Sequence, residues 1–371
     1  MNRYYNPVRT VQGAGCLNSL PHILDGMNLE KGRVLAIGWG EEVFRHGVFS
    51  NLGKFDVQTV VFTASNPTVE QLFALYKATK PFSPDAVVAI GGGSVMDAAK
   101  SLCCMYRHEI SDEDSLRAYI QDNRFGIPSA RWIGVPTTSG TGSEVTCWAT
   151  IWDPSKGIKR SVENHANYAY AALVDPCLTE GMPLKLAVSS ALDAVAHAVE
   201  AYWARGTNAV SRALALQAIR TVMSHMEDLL AGDPQAHDAM AQGSMMAGLA
   251  FSNTKTTACH SISYPLTMRY HIPHGTAVSM LLAPVLELNA PAVEGMEALL
   301  AALGAGGAET LRQYIGGFLR RSGQPDTLRG WGVALQDCAA LAELGMTKGR
   351  ADNNPVDITA EIIKGILESI Y

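Results

Sequence analysis

Charge is scarce in this sequence. Asp, Glu, Lys and Arg make up 17% of its 371 residues, against roughly 25% in an average soluble domain. No long basic run is present and the formal net charge is -6. The clustered Lys and Arg that a nucleic-acid partner demands are therefore missing, and so is a polybasic membrane anchor. Long hydrophobic runs are lacking too: the longest, such as residues 276–285, fall far short of the ~18 residues of a membrane span. Arg3 and Arg9 are followed by no apolar stretch, so no secretory signal is read. The seven cysteines are an odd number and scattered, apart from the adjacent Cys103 and Cys104. They make no disulfide framework, and reduced thiols in a cytoplasmic setting are expected.

What is present is an ample core, with 47% hydrophobic residues. The length exceeds the ~250–300 residues at which single cores stop growing, so two domains are expected. A metal site in such a chain would serve function rather than staple the fold. The low charge fraction fits either a large buried surface, including the interface of a homodimer or larger homo-oligomer, or an Ala/Gly-rich composition alone.

The first half alternates between strand-like and helix-like stretches. Apolar runs occur at 34–37, 57–62, 86–90, 132–135 and 172–174, most ending in turn or cap residues. Helix-like stretches such as 68–79 and 94–106 lie between them. This alternation predicts a Rossmann-like α/β half with a mostly parallel sheet. Beyond Pro183 the pattern changes to long periodic segments, at 184–204, 209–230, 237–252 and 277–288, without a convincing strand. The expected organisation is an α/β domain over 1–181 and an all-α domain over 182–371.

Gly91-Gly92-Gly93-Ser94 follows one strand and opens a helix that continues through Asp97 and Lys100. Glycines there let a phosphate approach the backbone, and the helix start offers free N–H groups and a positive dipole end. A tight strand-to-helix turn without a ligand is the plainer alternative. A second segment, from Pro136 to Glu144, also follows a strand and interleaves Thr137, Thr138, Thr141 and Ser143 with glycine. Such loops can converge on one ligand outside the strand ends. The usual dinucleotide fingerprint is absent: Gly38-Trp39-Gly40 lacks a third glycine at the required spacing, and the next strand ends at Phe62-Thr63 without an acid.

Asp193 and His197 are four residues apart in an apolar helical stretch and so share one face. Buried polar groups need partners, and the pair alone reads equally as a hydrogen-bonded Asp–His within the helix. His260 and His274, the latter in a Pro/Gly-marked turn, change that balance. One carboxylate and three imidazoles suit Fe(II), with Zn(II) as the alternative. His22, His46, His108, His225 and His237 have polar or loop neighbours and read as surface residues.

With these residues in hand, the chain resembles the iron-containing (group III) alcohol dehydrogenase family over nearly its whole length. The motifs that carry the resemblance are Asn66-Pro67-Thr68, Gly91-Gly92-Gly93-Ser94 with Asp97 and Lys100, and residues 136–146. Asp193-x-x-x-His197, His260 and Pro273-His274-Gly275 complete them. The resemblance implies that the Gly91–Ser94 loop holds a dinucleotide pyrophosphate, and that the Thr-rich segment, Asn66, Gly38 and Gly40 line the cofactor. It implies that Asp193, His197, His260 and His274 bind the divalent metal. It further implies reduction of an aldehyde, or oxidation of its alcohol, by hydride transfer with NAD(P)H between the two halves.

Three departures from the family pattern matter. Tyr264-Pro265-Leu266 stands where His-Pro-Leu is usual, so Tyr264, His271 or water would relay the proton. Gly40 stands where an Asp is common, which removes a charge that disfavours a 2′-phosphate and admits NADP(H) as readily as NAD(H). Lys255 stands five residues before His260, where small residues are common; it suits an anionic substrate and reads equally as a solvated lysine at a helix end. Together these suggest the phosphonoacetaldehyde reductase branch, with a carboxylated aldehyde as the near competitor. A neutral short-chain aldehyde and a non-catalytic cofactor-binding subunit remain alternatives. So does dehydroquinate-synthase-like lyase chemistry, which shares the two-half architecture but resembles a carboxylate plus two histidines at its metal.

Overall fold

The computed structural model describes residues 3–347 and 349–371. It divides into two compact units. One comprises Asn6–Thr138 and Ser143–Leu178, and the other gathers, among the described residues, 3–5, Ser139–Gly142 and 179–371.

The strands among the described residues are β1 (Arg9–Gln12), β2 (Arg33–Gly38), β3 (Asp56–Val61), β4 (Ala86–Gly91), β5 (Arg131–Pro136), β6 (Trp148–Asp153), β7 (Ile158–Glu163) and β8 (Ala171–Val174). Six form one sheet in the order β1-β8-β5-β4-β2-β3, with every pairing parallel. Helices α1 (Leu20–Gly26), α2 (Val69–Thr79), α3 (Gly93–Met105) and α4 (Glu113–Gln121) belong to the same unit. Side chains of successive strand residues point to opposite faces. Accordingly Val34, Val88, Ile90, Ile133 and Val135 pack with Leu17, Leu20 and Leu24. Leu35, Ile37, Val87, Ala89 and Trp132 pack with Leu72, Tyr76 and Met96 instead. Both faces are covered, which is why these strands read as continuous apolar runs. A capping box fixes the start of α2: Gln71 N–H donates to Thr68 Oγ1 at 3.2 Å, and Thr68 N–H donates to Gln71 Oε1 at 3.0 Å.

The second unit contains the helices α5 (Leu184–Trp203), α6 (Ala209–Ser224), α7 (Met226–Ala231), α8 (Ala236–Thr254), α9 (Ala258–Tyr270), α10 (His274–Asn289), α11 (Met296–Leu303), α12 (Ala308–Arg321), α13 (Cys338–Leu344) and α14 (Ala360–Ser369). α5 is buried over almost its full length beyond Ala187, as a helix apolar on all sides must be. α6, α8 and α10 pack against it. Gly275 lets α10 approach closely, because a Cβ there would lie 2.1 Å from the Ser189 carbonyl oxygen. Gly140 presses on α5 in the same way, 2.7 Å from the Ser190 carbonyl oxygen.

The expected parallel sheet and helical second half are present. Of the five histidines expected at the surface, only His22 is exposed. His46, His108 and His225 are half-buried, and His237 is buried with Nδ1 3.1 Å from Thr179 Oγ1. His108 Nε2 lies 2.7 Å from the Phe125 carbonyl oxygen, whereas His46 and His225 are held locally, His46 Nδ1 accepting from Val48 N at 3.2 Å and His225 Nδ1 lying 2.9 Å from the Thr221 carbonyl oxygen. Among the described residues no helix is long and apolar enough to cross a membrane.

Candidate functional site

The helical unit places four sequence-predicted residues near one another, and the donor atoms of three of them, without His197, converge on one point. Asp193 and His197 lie one turn apart on α5, His260 is in the first turn of α9, and His274 opens α10. Asp193, His260 and His274 each offer a donor atom within 4.8 Å of the others. Asp193 Oδ1 lies 3.5 Å from His260 Nε2 and 3.7 Å from His197 Nδ1. The His197 ring stacks on Phe251 at 4.2 Å between centroids and lies 4.3 Å from the His260 ring. Asp193 Oδ1, His197 Nδ1 and His260 Nε2 are all buried and form no hydrogen bond. Each buried polar atom left so costs roughly 1–3 kcal/mol. A carboxylate oxygen and imidazole nitrogens converging in this way form a donor set that fits a divalent cation.

A residue outside the sequence-predicted set completes this centre. Glu200 is fully buried, and its Oε2 bonds to His260 Nδ1. Its Oε1 accepts from Thr257 Oγ1 at 2.9 Å, Cys259 N at 2.7 Å and His260 N at 3.3 Å. Trp203 Nε1 donates to Thr257 Oγ1 at 2.8 Å behind it. A carboxylate at Nδ1 fixes the tautomer that leaves Nε2 as the free donor. The signal for Glu200 was in the sequence: Asp193, His197 and Glu200 recur at i, i+4 and i+7, one helical face. Burial pushes the Asp193 carboxyl up, but the surrounding imidazoles outweigh it and hold the carboxyl well below its usual range. Burial pushes the His197 imidazole down to about 4. For His260, burial is outweighed by Glu200 and Asp193, which raise it to about 10.

The α/β unit places the glycine loop at the end of β4. Gly92 caps α3 without a side-chain hydrogen bond; Val95 N and Met96 N donate to the Gly92 carbonyl, which leaves the Gly93 and Ser94 N–H groups for another partner. A Cβ on Gly91 would lie 2.5 Å from Val95, and one on Gly92 would meet Thr138 at 3.3 Å. Ser94 Oγ accepts from Asn66 N at 3.0 Å, and Asn66 sits at φ 56°. Thr137 N donates to Gly91 O at 3.1 Å, so the two loops start side by side. Thr141 falls in the stretch Ser139–Gly142, which clusters with the helical unit. There Gly142, at φ 55°, passes Gly248 so closely that a Cβ would lie 2.4 Å from its Cα.

Asp97 and Ser143 turn inward. Ser143 Oγ donates to Asp97 Oδ1 at 3.2 Å, and the buried Lys100 Nζ donates to Ser143 Oγ at 2.8 Å, Thr146 Oγ1 at 2.9 Å and the Trp148 carbonyl at 3.0 Å. These bonds pin the Thr-rich segment to α3. Burial lowers the Lys100 ammonium to about 8, and it raises the neighbouring Glu144 carboxyl to about 7. An acid whose folded pKa lies above its unfolded value of about 4.5 contributes stability that is complete below pH 4.5 and lost as pH rises through 7. Glu144→Gln should therefore gain on the wild type between pH 5 and pH 8, by on the order of 3 kcal/mol. Urea unfolding at the two pH values measures this, and a constant difference would refute it.

The three residues nominated for catalysis part company. Tyr264 is buried, with its ring stacked on His274 at 6.0 Å and 14°. His271 is exposed at the end of α9, in a left-handed conformation at φ 54°. Lys255 is half-buried at the end of α8, with φ 61° and ψ 179°. That backbone region is nearly confined to glycine and costs about 1–3 kcal/mol for other residues.

Comparison with known proteins gives matches over both halves of the chain. A family model described as iron-containing alcohol dehydrogenase matches residues 7–176. A second, the C-terminal part of the Fe-containing alcohol dehydrogenase family, matches residues 187–371. The chain belongs to the iron-containing alcohol dehydrogenase family. As a member, it is an oxidoreductase acting on the alcohol–aldehyde pair. An NADPH-dependent butanol dehydrogenase from Clostridium saccharobutylicum is 28% identical over 389 residues, covering 100% of this chain and 98% of that protein. A lactaldehyde reductase from Escherichia coli strain K12 is 32% identical, covering 80% of each chain. Among solved structures, a sulfoacetaldehyde reductase from Bifidobacterium kashiwanohense in complex with NAD+ superposes with a TM-score of 0.87 at 26% identity, over 100% of this chain and 98% of that one.

Proposed function

We propose that this alcohol dehydrogenase reduces a small anionic aldehyde with NAD(P)H, using a divalent metal held by Asp193, His197, His260 and His274. The observation that carries the metal assignment is the set of unbonded, buried donor atoms on Asp193, His197 and His260. A bound metal supplies Lewis-acid polarisation of the carbonyl and offsets negative charge as the alcohol forms. Glu200 orients His260 for that task. Gly91–Ser94 and the start of α3 take the pyrophosphate of the dinucleotide, where free N–H groups favour an anion. Tyr264, buried beside His274, provides the proton in preference to the exposed His271. Family membership favours this redox chemistry over the lyase alternative.

Lys255 supports the anionic substrate. A lysine kept in a backbone conformation that glycine would occupy without strain points to a use for its side chain. A sulfonated aldehyde gives its name to one structural relative, and phosphonoacetaldehyde is an aldehyde of the same charge class. Anaerobic oxidation of NADH and NADPH across acidic and neutral aldehydes, with Fe(II), Zn(II) or no metal, tests the reading. Phosphonoacetaldehyde or sulfoacetaldehyde should show a KM at least about tenfold below that of propanal. Lys255→Ala should raise the acidic KM about tenfold or more and leave the propanal KM within about twofold. Equal changes for both aldehydes would overturn the anion site while leaving the dehydrogenase assignment in place.

A further inference from the structure

We infer that Glu42 makes this enzyme select NAD(H) over NADP(H), an inference that rests on the reading of the α/β unit as the dinucleotide site. Gly40 puts no acid of its own after β2. The structure returns one from two residues further on. A Cβ added to Gly40 would lie 2.4 Å from Glu42 Oε2, 2.6 Å from its Cδ and 2.7 Å from its Oε1. The Glu42 carboxylate therefore occupies the space that any side chain at position 40 would fill.

The location matters as much as the charge. β2 is the neighbour of β4 in the sheet, with Gly38 in register with Ile90. Trp39 N–H donates to the Ile90 carbonyl at 3.1 Å, so the Gly38–Gly40 turn lies beside the glycine loop that follows Ile90. In parallel α/β sheets a dinucleotide whose pyrophosphate sits at one such loop places its adenosine ribose by the end of the adjacent strand. An acid there accepts the ribose hydroxyls, whereas a 2′-phosphate needs a cation. Glu42 is exposed, and no hydrogen bond or ion pair among the described residues engages its carboxylate. It is free to accept from the 2′-hydroxyl and repels a 2′-phosphate. The cation of the same short turn, Arg45, closes its far end.

Fluorescence titration of the full-length protein with NADH and with NADPH, in the absence of aldehyde, reads the choice without turnover. Wild type should bind NADH at least about tenfold tighter than NADPH, the scale of one hydrogen bond to a charged group. Glu42→Gln should tighten NADPH about tenfold and weaken NADH by less than that, and raising salt should narrow the wild-type discrimination by screening the repulsion. Equal affinities in wild type, or a discrimination unchanged in Glu42→Gln, would overturn the role of Glu42 and leave the dinucleotide site standing. Tighter NADPH binding by wild type, abolished in Arg45→Ala, would overturn it in favour of Arg45. Binding of neither nucleotide would overturn the dinucleotide site itself, and Glu42 with it.

Discussion

His197→Ala should abolish aldehyde-dependent NAD(P)H oxidation and remove the bound metal while leaving the fold intact. The imidazole is buried, its Nδ1 forms no hydrogen bond, and its ring centroid lies 4.2 Å from that of Phe251 and 4.3 Å from that of His260. Deleting it takes away a donor that no neighbour can replace. Losing the polarising charge at the carbonyl forfeits several kcal/mol of barrier reduction, or roughly a thousandfold or more in kcat. Metal content should fall from near-equimolar to under about a tenth of that. Ligands that bind only the folded state raise its melting temperature. Chelation should therefore lower the melting temperature of wild type and leave that of His197→Ala unmoved. Elemental analysis, turnover and melting with and without chelator check the three limbs. A purified variant with full metal and full turnover would remove His197 from the centre.

Why so much of this centre was readable lies in helix geometry. Asp193 and His197 stand out because an ionisable pair on an otherwise apolar helix needs a reason to be there. His274 stands out because Pro273 and Gly275 mark a helix start, and Gly275 proves necessary for α10 to reach α5. Glu200 escaped because a carboxylate seven residues from Asp193 looks like the polar end of a helix until its four bonds to residues 257–260 are seen. Those bonds cross from α5 to α9, and no local pattern encodes them.

The strands divide by the same logic. β2, β4 and β5 are buried on both faces and read as apolar runs. β1 is an edge strand of sequence Arg-Thr-Val-Gln with no buried residue, so it gave no hydrophobic signal. The β6–β7 hairpin was missed because β7, Ile-Lys-Arg-Ser-Val-Glu, buries only Val162. Its turn was the available clue, since Asp153-Pro154-Ser155-Lys156-Gly157 is strong turn chemistry and Gly157 adopts φ 64°. Glu42 illustrates a different limit. A motif compares residues at fixed positions, whereas the carboxylate over Gly40 comes from a different position by way of a short turn.

Glu200→Gln carries the second large effect, and it separates positioning from mere structure. The amide is isosteric and can still accept from Cys259 N and Thr257 Oγ1. It cannot match the carboxylate as an acceptor for His260 Nδ1–H. Loss of such a partner behind a histidine ligand lowers metal affinity by about 10–100-fold. Titration of the metal-free protein with Fe(II) or Zn(II) should show that drop, and activity should recover to within about tenfold of wild type at saturating metal. Glu200→Ala should do worse on both counts. It also strips acceptors from Thr257 and two backbone N–H groups in a buried site, which costs about 3–5 kcal/mol where a buried charge loses its partner. Only a change in metal affinity bears on orientation, because loss of packing alone would lower the melting temperature and leave affinity untouched. If Glu200→Gln bound metal as tightly as wild type, Glu200 would be a structural brace for the α5–α9 contact and nothing more. If affinity fell as expected and saturating metal restored turnover, Glu200 would act through His260 and not on the substrate.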